Sequence, residues 1–384
     1  MKVLHIITGL GDGGAENTLY KICKNDHHNK HIVISLKGTD KYSSLLKKIG
    51  TKVYHFEMKF FSFLKFLHLI KLVRFLKPNV VQTWLIHGDL VGGICAKLSG
   101  FQNIIWNIRY SNLEMQKNNL INLLLIKILS KLSYIIPKKI VVVSKSAKKN
   151  CINLGYNKKK LVLINNGFQL SLLKPNKALK LSFRRKLKIK KKIPILGNVA
   201  RFAPMKDHIN LLKALSLIRL KNIDFLCVLV GSNINKENIE LVNQIKKLQL
   251  SGNIKLLGHQ SNINEVMNGI DVYVQSSRYG EGFPNVVAEA MACETPCVVT
   301  DTGDASFIVG KTGWAVPPKN SFKLFKVIEK AFLERDKKNW KWRCTQARLR
   351  IDKNFNLIKM IELYNRLWSK VQIKSQLQSC AKPY

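Results

Sequence analysis

Two glutamates, Glu281 and Glu289, stand eight positions apart in the stretch "RYGEGFPNVVAEAMACETPCVVT", residues 278–300. Gly280, Gly282 and Pro284 force a turn after the strand-like "DVYVQSS", and proline suits the first turn of a helix. Glu281 is therefore expected in a loop above a sheet, and Glu289 about one turn into the next helix. Carboxylates accept hydrogen bonds from vicinal hydroxyls, the pattern a sugar ring presents. The backbone amides of Phe283, Asn285 and Val286 lie at the start of that helix, where a diphosphate finds unsatisfied donors.

A second phosphate candidate opens the chain. Gly9, Gly11 and Gly14 in "LHIITGLGDGGAEN" fit the G-x-G-x-x-G spacing of a dinucleotide loop. That fingerprint needs a carboxylate about 20 residues on to hold a ribose hydroxyl. The corresponding stretch "HIVISLKG" offers Ser35 and Lys37 instead, and Asp40 lies too far into the loop. Asp12 and Glu16 already bring negative charge to the helix start, where the dipole favours it. A nicotinamide cofactor is disfavoured. The loop at Gly13 and Gly14 remains either a place for close approach by a phosphate or sugar, or a tight turn that binds nothing.

The elements that must position these residues repeat one grammar. "KVLHIIT", "HIVISL", "VYHFEM", "VVQTWL", "IIWNIR" and "KIVVVS" read as buried strands, with helices at 15–23 and 62–76 between them. "IPILGNVA", "DFLCVLVG", "IKLLG", "DVYVQSS" and "PCVVT" follow, separated by helices at 207–219, 236–248, 262–268 and 285–293. Short apolar strands alternating with helices predict α/β architecture, with parallel sheets covered on both faces. The expected division is a first Rossmann-like domain over 1–175, a basic linker over 176–192, and a second such domain over 193–354. A C-terminal helix at 355–384 is expected to pack back on the first domain. Two doubly wound domains would bind a ligand outside the carboxyl ends of their strands, in a cleft between them.

Charge is the strongest compositional signal. The chain of 384 residues carries 65 Lys and Arg against 23 Asp and Glu, a net +42. Residues 1–175 hold 28 basic against 7 acidic side chains, and 176–192 add nine basic residues with no acid. Such a field attracts polyanions, whether nucleic acid or anionic lipid. Aromatic residues interleaved with basic ones, as base stacking requires, are not evident, so nucleic acid is not expected as a partner. The eight cysteines include no C-x-x-C pair and read as buried thiols in a reducing compartment. No stretch reaches the roughly 18 apolar residues of a spanning helix. The opening strand and glycines do not read as a secretory leader.

The Glu281–Glu289 element, E-x7-E, resembles that of retaining glycosyltransferases of the GT-B class, the family 4-like enzymes of bacterial lipopolysaccharide, capsule and O-antigen synthesis. Four further stretches match in order: "GDGGAEN", "GNVARFAPMKD" with Arg201 and Lys206, "GSNINKENIELVNQI" after the strand ending at Gly231, and "TDTGDASFIVGKTGWAVPP". The resemblance implies a GT-B fold of two Rossmann-like domains and a hexosyltransferase. Its donor would be a nucleoside diphosphate sugar, with UDP the commonest base among look-alikes. Its acceptor would be a lipid-linked or lipopolysaccharide glycan.

By the same resemblance Glu281 contacts the donor sugar, Glu289 the nucleotide ribose, and Arg201 with Lys206 the diphosphate. Gly13, Gly14, Gly231, Gly282 and Pro284 join the donor-binding set. No metal or other cofactor is implied, and the sequence has no D-x-D loop. His87, just past a strand end, is an active-site candidate with an interior histidine as its rival. Arg109 stands where some relatives carry histidine and is placed with it. Ser306 and Phe307 occupy positions where much of the class has a glutamate before an apolar pair.

Residues 58–77, "MKFFSFLKFLHLIKLVRFLK", set basic and polar residues among Phe and Leu, as in an interfacial helix or an ordinary crossover helix. With the charge of the first domain, this predicts a cytoplasmic protein held peripherally on the inner face of the plasma membrane. A nucleotide-sugar epimerase or another GT-B enzyme is the alternative, and a basic nucleic-acid binder a more distant one.

Overall fold

The computed structural model describes residues 1–57, 63–109, 120–189 and 193–380. The chain divides into two compact units, Met1–Gly167 with Ile358–Tyr384, and Phe168–Leu357.

The first unit is built on seven parallel strands: β1 (Lys2–Ile7), β2 (Lys30–Ser35), β3 (Lys52–His55), β4 (Val80–Trp84), β5 (Ile104–Ile108), β6 (Lys139–Val142) and β7 (Leu161–Leu163). Their order is β3-β2-β1-β4-β5-β6-β7. β1 and β4 pair at the point where the winding reverses, with Ile7 opposite Trp84. Such a reversal leaves a crevice beyond the strand ends. Crossover helices Phe63–Leu76, Gly93–Leu98 and Leu120–Leu132 cover one face. Leu69, Ile70, Val73, Cys95, Ala96, Ile126 and Leu129 join a single apolar cluster there with Ile6, Val81 and Trp106. The long helix Leu357–Cys380 packs on the same unit, where Trp368 Nε1 donates to Gln82 Oε1 at 2.6 Å beneath the sheet.

The second unit repeats the design with six parallel strands: β8 (Ile195–Val199), β9 (Leu226–Val230), β10 (Ile254–Leu256), β11 (Val272–Gln275), β12 (Cys297–Thr300) and β13 (Trp314–Val316). Their order is β10-β9-β8-β11-β12-β13, with the reversal between β8 and β11. The near-continuous Val, Ile and Leu composition of both sheets is what burial on two faces demands.

The stretch read as a basic linker is not an open connection. Residues Lys177–Lys186 form a helix within the second unit, anchored by a buried carboxylate. Asp271, at the entry to β11, accepts from Lys180 at 2.9 Å, Arg184 at 2.5 Å and the amide of Ile195 at 3.0 Å. Burial alone would push this carboxyl up, but Lys180 and Arg184 hold it below the usual range. Residues 190–192, and 58–62 at the start of the expected interfacial helix, lie outside the described residues.

Candidate active site

The loops that leave β8 and β11 flank the reversal in the second unit, and they carry the expected residues. After β8 the chain runs through Arg201 and Lys206 to Asp207, whose left-handed backbone (φ 48°) turns it into the helix His208–Leu220. After β11 it runs through Ser276, Ser277 and Glu281 to the helix Asn285–Ala292. Pro284 is the N-cap rather than the first helical residue.

Lys206 Nζ and Ser277 Oγ both donate to the same oxygen of Glu281, Oε1, at 2.5 and 2.6 Å. One edge of the carboxylate is thereby fixed, and no hydrogen bond to Oε2 is made among the described residues. A lysine donating to a carboxylate makes a short, charge-assisted contact. The two loops are also stitched together by backbone. Arg278 N donates to the carbonyl of Met205 at 2.8 Å, and Ser276 Oγ to that of Lys206 at 2.8 Å. Glu289, half-buried on the helix, belongs to the same locality. The buried phenol of Tyr273 on β11 is pushed up chiefly by burial, and the charges of both Glu281 and Glu289 add to the effect. Arg201 is exposed at the end of β8 and makes no hydrogen bond among the described residues.

Two glycines set how closely these loops approach. Gly231 follows β9 with φ +147°, and a Cβ there would lie 2.2 Å from the carbonyl oxygen of Ala200 and 2.9 Å from the amide nitrogen of Arg201. Gly303, with φ +61°, would set a Cβ 2.3 Å from the Glu281 carbonyl oxygen. Beside it Asp304 N donates to the carbonyl of Gly282 at 2.9 Å. Ser277, Gly303 and Asp304 were not singled out from sequence. "TDTGD" after a strand was the available signal for the last two. Ser306 Oγ donates to Asp301 Oδ1 at 2.5 Å, and Phe307 packs on Phe355, so both take structural partners. Phe283 is buried, stacked on Phe168 and edge-on to Phe355, which leaves its backbone as the part available to a ligand.

His208 opens its helix fully buried against Phe202. Burial, with help from Lys206, lowers its pKa to about 4, so the ring beside the lysine is neutral at physiological pH.

The remaining candidates belong to the first unit. Gly13 is the N-cap of the helix Gly14–Asn25, and the Glu16 carboxylate folds over it, 2.3 Å from where a Cβ would sit. Burial first, then Asp12 and Asp40, raise the pKa of Glu16. The anion at this helix start is thus the protein's own side chain.

The residue that follows β4, Leu85, has left-handed backbone at φ 68°, a strained choice for a bulky side chain. Two residues on, His87 is exposed, which excludes the interior-histidine alternative. Its pKa is lowered by partial burial and by Lys37. Gly88 pins this turn to β1, its amide donating to Thr8 Oγ1 at 3.1 Å.

Arg109 is committed to structure. Its guanidinium donates to Asn107 at 3.0 Å, to Tyr364 Oη at 2.9 Å and to Asn166, and it lies 5.2 Å over the Trp84 ring. A side chain held in four contacts braces the end of β5 against the C-terminal helix; this departs from its expected placement as a reacting group.

One polar cluster escaped the sequence reading, because its members are spread over β1, β2 and the first helix. His5, Cys23 and His31 bring possible ligand atoms within 4.8 Å of one another. Trp84 Nε1 donates to His5 Nδ1 at 3.2 Å, which fixes the proton of His5 on Nε2. That N–H reaches His31 Nδ1 at 2.9 Å, and His31 Nε2 then donates to Asp26 at 3.1 Å. This assignment directs every imidazole lone pair to a protein donor, so the cluster is a buried hydrogen-bond chain. Burial, then His31, keeps His5 well below its usual pKa and neutral.

Residues 180–346 match the family described as "Glycosyl transferases group 1", and the match includes Arg201, Lys206, Glu281 and Glu289. EpsF of Bacillus subtilis is 34% identical over 140 residues, a stretch spanning 36% of this chain and 36% of that protein. A Campylobacter jejuni enzyme, N,N'-diacetylbacillosaminyl-diphospho-undecaprenol alpha-1,3-N-acetylgalactosaminyltransferase, is 27% identical over 89% of this chain and 93% of its own. Among solved structures, the Anabaena protein HepE in complex with UDP superposes with a TM-score of 0.85 at 20% identity, covering 96% of this chain and all of its own. The fold is GT-B, two Rossmann-like units. The chain is a glycosyltransferase of that fold.

Proposed function

We propose that this glycosyltransferase acts in polysaccharide or lipid-linked glycan synthesis, moving a sugar from a nucleoside diphosphate sugar to a lipid-linked or lipopolysaccharide-type acceptor with retention at the anomeric carbon. The observation that carries the reading is the Lys206–Glu281–Ser277 triad beside Glu289, at the switch point of the second unit. Lys206 and the exposed Arg201 supply fixed cations for a diphosphate that gains charge as it leaves, the electrostatic assistance such a step needs. Glu281 holds one oxygen on the protein and offers the other to sugar hydroxyls. Glu289 accepts from the ribose, and the start of the helix Asn285–Ala292 receives phosphate oxygens.

The charge balance of this account comes from side chains alone, so the transfer is proposed to proceed without a metal. UDP is the proposed carrier, in keeping with the UDP complex of HepE, and an undecaprenyl-diphosphate-linked glycan fits the name of the Campylobacter relative. His87 is assigned to the acceptor side, exposed and neutral, and Arg109 to positioning.

With a first domain at +21 and no helix among the described residues long and apolar enough to cross a membrane, we place the protein peripherally on an anionic cytoplasmic leaflet. A screen of nucleotide sugars for hydrolysis and transfer, with and without EDTA, tests the account. Activity that survives chelation and gives a product of retained configuration supports it; activity abolished by EDTA, or an inverted product, overturns the corresponding part.

A further inference from the structure

The turn that carries His87 is held from beneath by a carboxyl group that the proposed chemistry does not use. Asp89, two positions on, is fully buried, and Thr83 Oγ1 on β4 donates to its Oδ1 at 2.5 Å. Its Oδ2 makes no hydrogen bond among the described residues. The backbone around it fits tightly. Leu85 opens the turn at φ 68°, and Gly88–Gly92 then form one wide turn of π type. A Cβ at Gly88 would lie 3.0 Å from the carbonyl oxygen of Ile6. One at Gly92 would lie 2.7 Å from Ile6 Cγ2 and 3.3 Å from Thr83 Cγ2. The turn is thus pressed onto β1 and β4, with Asp89 as its side-chain tie to β4. A left-handed leucine and a π turn persist only where their surroundings over-determine them, and both cluster at functional sites.

The chemistry of Asp89 makes this hold conditional. The turn packs into the apolar cluster that includes Ile6, Val91, Cys95, Ala96 and Trp106, and no cation pairs with the carboxyl among the described residues. Burial pushes it up to about 7, against a smaller downward pull from Thr83 Oγ1 and the Asn107 amide. The titratable groups nearest to it are thiols. Cys151 on the helix Lys145–Asn153 feels its charge, and Cys95 lies on the helix Gly93–Leu98. Burial pushes both thiols up to about 12, so neither ionises near neutral pH. The helix Leu120–Leu132 also packs on the turn, and its Lys127 and Lys131 form no ion pair with Asp89. A buried carboxyl with a hydroxyl partner and no cation is stable as the neutral acid. Its carboxylate form gains solvation only if the turn lifts.

We propose that Asp89 is a positioning residue for the acceptor side of the transfer: as a neutral acid it ties the turn 85–92 to β4 and so fixes where His87 stands. The proposal rests on the assignment of His87 to the acceptor side made above. Asp89 touches no substrate and acts through Thr83 and the turn. The coupling has a definite sign. With the turn closed the carboxyl stays neutral up to about pH 7, and with the turn open it ionises near 4, as an exposed aspartate does. Opening is therefore least below about pH 4, grows roughly tenfold per unit between about 5 and 7, and levels off above about 7. The donor loops belong to the second unit, so hydrolysis of the donor serves as an internal reference.

The test reads hydrogen exchange of the amides of 85–93 in the full chain by mass spectrometry, from about pH 5 to 8, normalised to the intrinsic rate at each pH and to strand β9. Wild type is expected to lose protection in this turn by on the order of 100-fold across that range. Asp89→Asn keeps an acceptor for Thr83 and cannot ionise, so its protection is expected to stay within about threefold. Thr83→Val removes a hydroxyl that favours the carboxylate, and the levelling-off point is expected to move to higher pH. Equal pH dependence in wild type and Asp89→Asn would overturn the proposal. A second measurement compares transfer to N-acetylglucosamine on undecaprenyl diphosphate with hydrolysis of the nucleotide sugar selected by the screen above. Asp89→Ala is expected to lower kcat/KM for this acceptor by about tenfold or more while sparing donor hydrolysis, with recovery in Asp89→Asn. Acceptor kinetics in Asp89→Ala equal to wild type would also overturn the proposal. Wild-type acceptor kinetics in His87→Ala would overturn the acceptor assignment and the proposal together, whereas a loss in His87→Ala beside a pH-independent turn in wild type would overturn the proposal alone. If Asp89→Ala does not fold, or wild type does not use this acceptor, the exchange comparison with Asp89→Asn decides by itself.

Discussion

Replacing Gly303 by alanine tests how the donor loop is held. Gly303 has φ +61°, and the added Cβ would lie 2.3 Å from the carbonyl oxygen of Glu281, 2.6 Å from its carbon and 2.7 Å from the Gly282 oxygen. Ordinary contact begins near 3.4 Å, and all three atoms are backbone, so they retreat only if the loop moves by roughly 1 Å. A displacement of about 1 Å in a positioned group costs up to a hundredfold in rate. The left-handed backbone adds roughly 1–2 kcal/mol against folding. For a unit of this size that lowers the melting temperature by roughly 2–8 °C.

The expected result is therefore a stable protein at 25 °C whose kcat/KM for the nucleotide sugar falls on the order of 100-fold. The measurements are steady-state kinetics and thermal melting of wild type and Gly303→Ala side by side. A variant with the lower melting temperature but wild-type kcat/KM would refute the link between this contact and the reacting carboxylate.

Other outcomes follow from the same contacts. Ser277→Ala leaves Glu281 held by Lys206 alone and is expected to lower kcat/KM by about tenfold, with recovery in Ser277→Thr; steady-state kinetics checks both. Arg109→Ala removes three hydrogen bonds and the cation–π contact with Trp84, lowering stability by about 2 kcal/mol in denaturant titration while leaving nucleotide affinity unchanged. Asp89 is buried and accepts from Thr83 Oγ1 at 2.5 Å; burial pushes its pKa up to about 7, and that hydroxyl pulls it only partly back. Its raised folded value means that its stabilising contribution is complete below the unfolded pKa near 4 and is lost as pH rises through about 7. Wild type is accordingly expected to lose stability between pH 5 and 8 more steeply than Asp89→Asn, as melting temperatures across that range will show.

The sheets were readable from sequence because parallel strands buried on both faces are continuous apolar runs, as in "DFLCVLVG" and "PCVVT". The edge strands β7 and β13 were not: "LVL" and "WAV" are too short to show a period, whereas β10, equally short, lies in the longer apolar run of "IKLLG". The loop bearing Glu281 was legible through its glycines and proline, which act locally. What escaped depends on residues distant in sequence. Gly303 meets Glu281 through backbone 22 positions away, and the chain from Trp84 through His5 to Asp26 crosses strands. Arg109 reads as a free cation until Tyr364, 255 positions on, is brought to it. The basic stretch 176–192 reads as a linker until Asp271 supplies its counter-charge, because charge alone does not reveal where a carboxylate will fold back.

The most direct measurement is calorimetric titration of a panel of nucleoside diphosphates into wild type and Glu289→Ala, in EDTA, with Glu240→Ala as a surface control. Wild type and the control are predicted to bind one of them alike. Glu289→Ala should lose roughly 1.5–3 kcal/mol, the worth of hydrogen bonds to a carboxylate. Binding of equal strength in Glu289→Ala, or none by wild type to any nucleotide, would contradict the assignment of the β8 and β11 loops as the donor site.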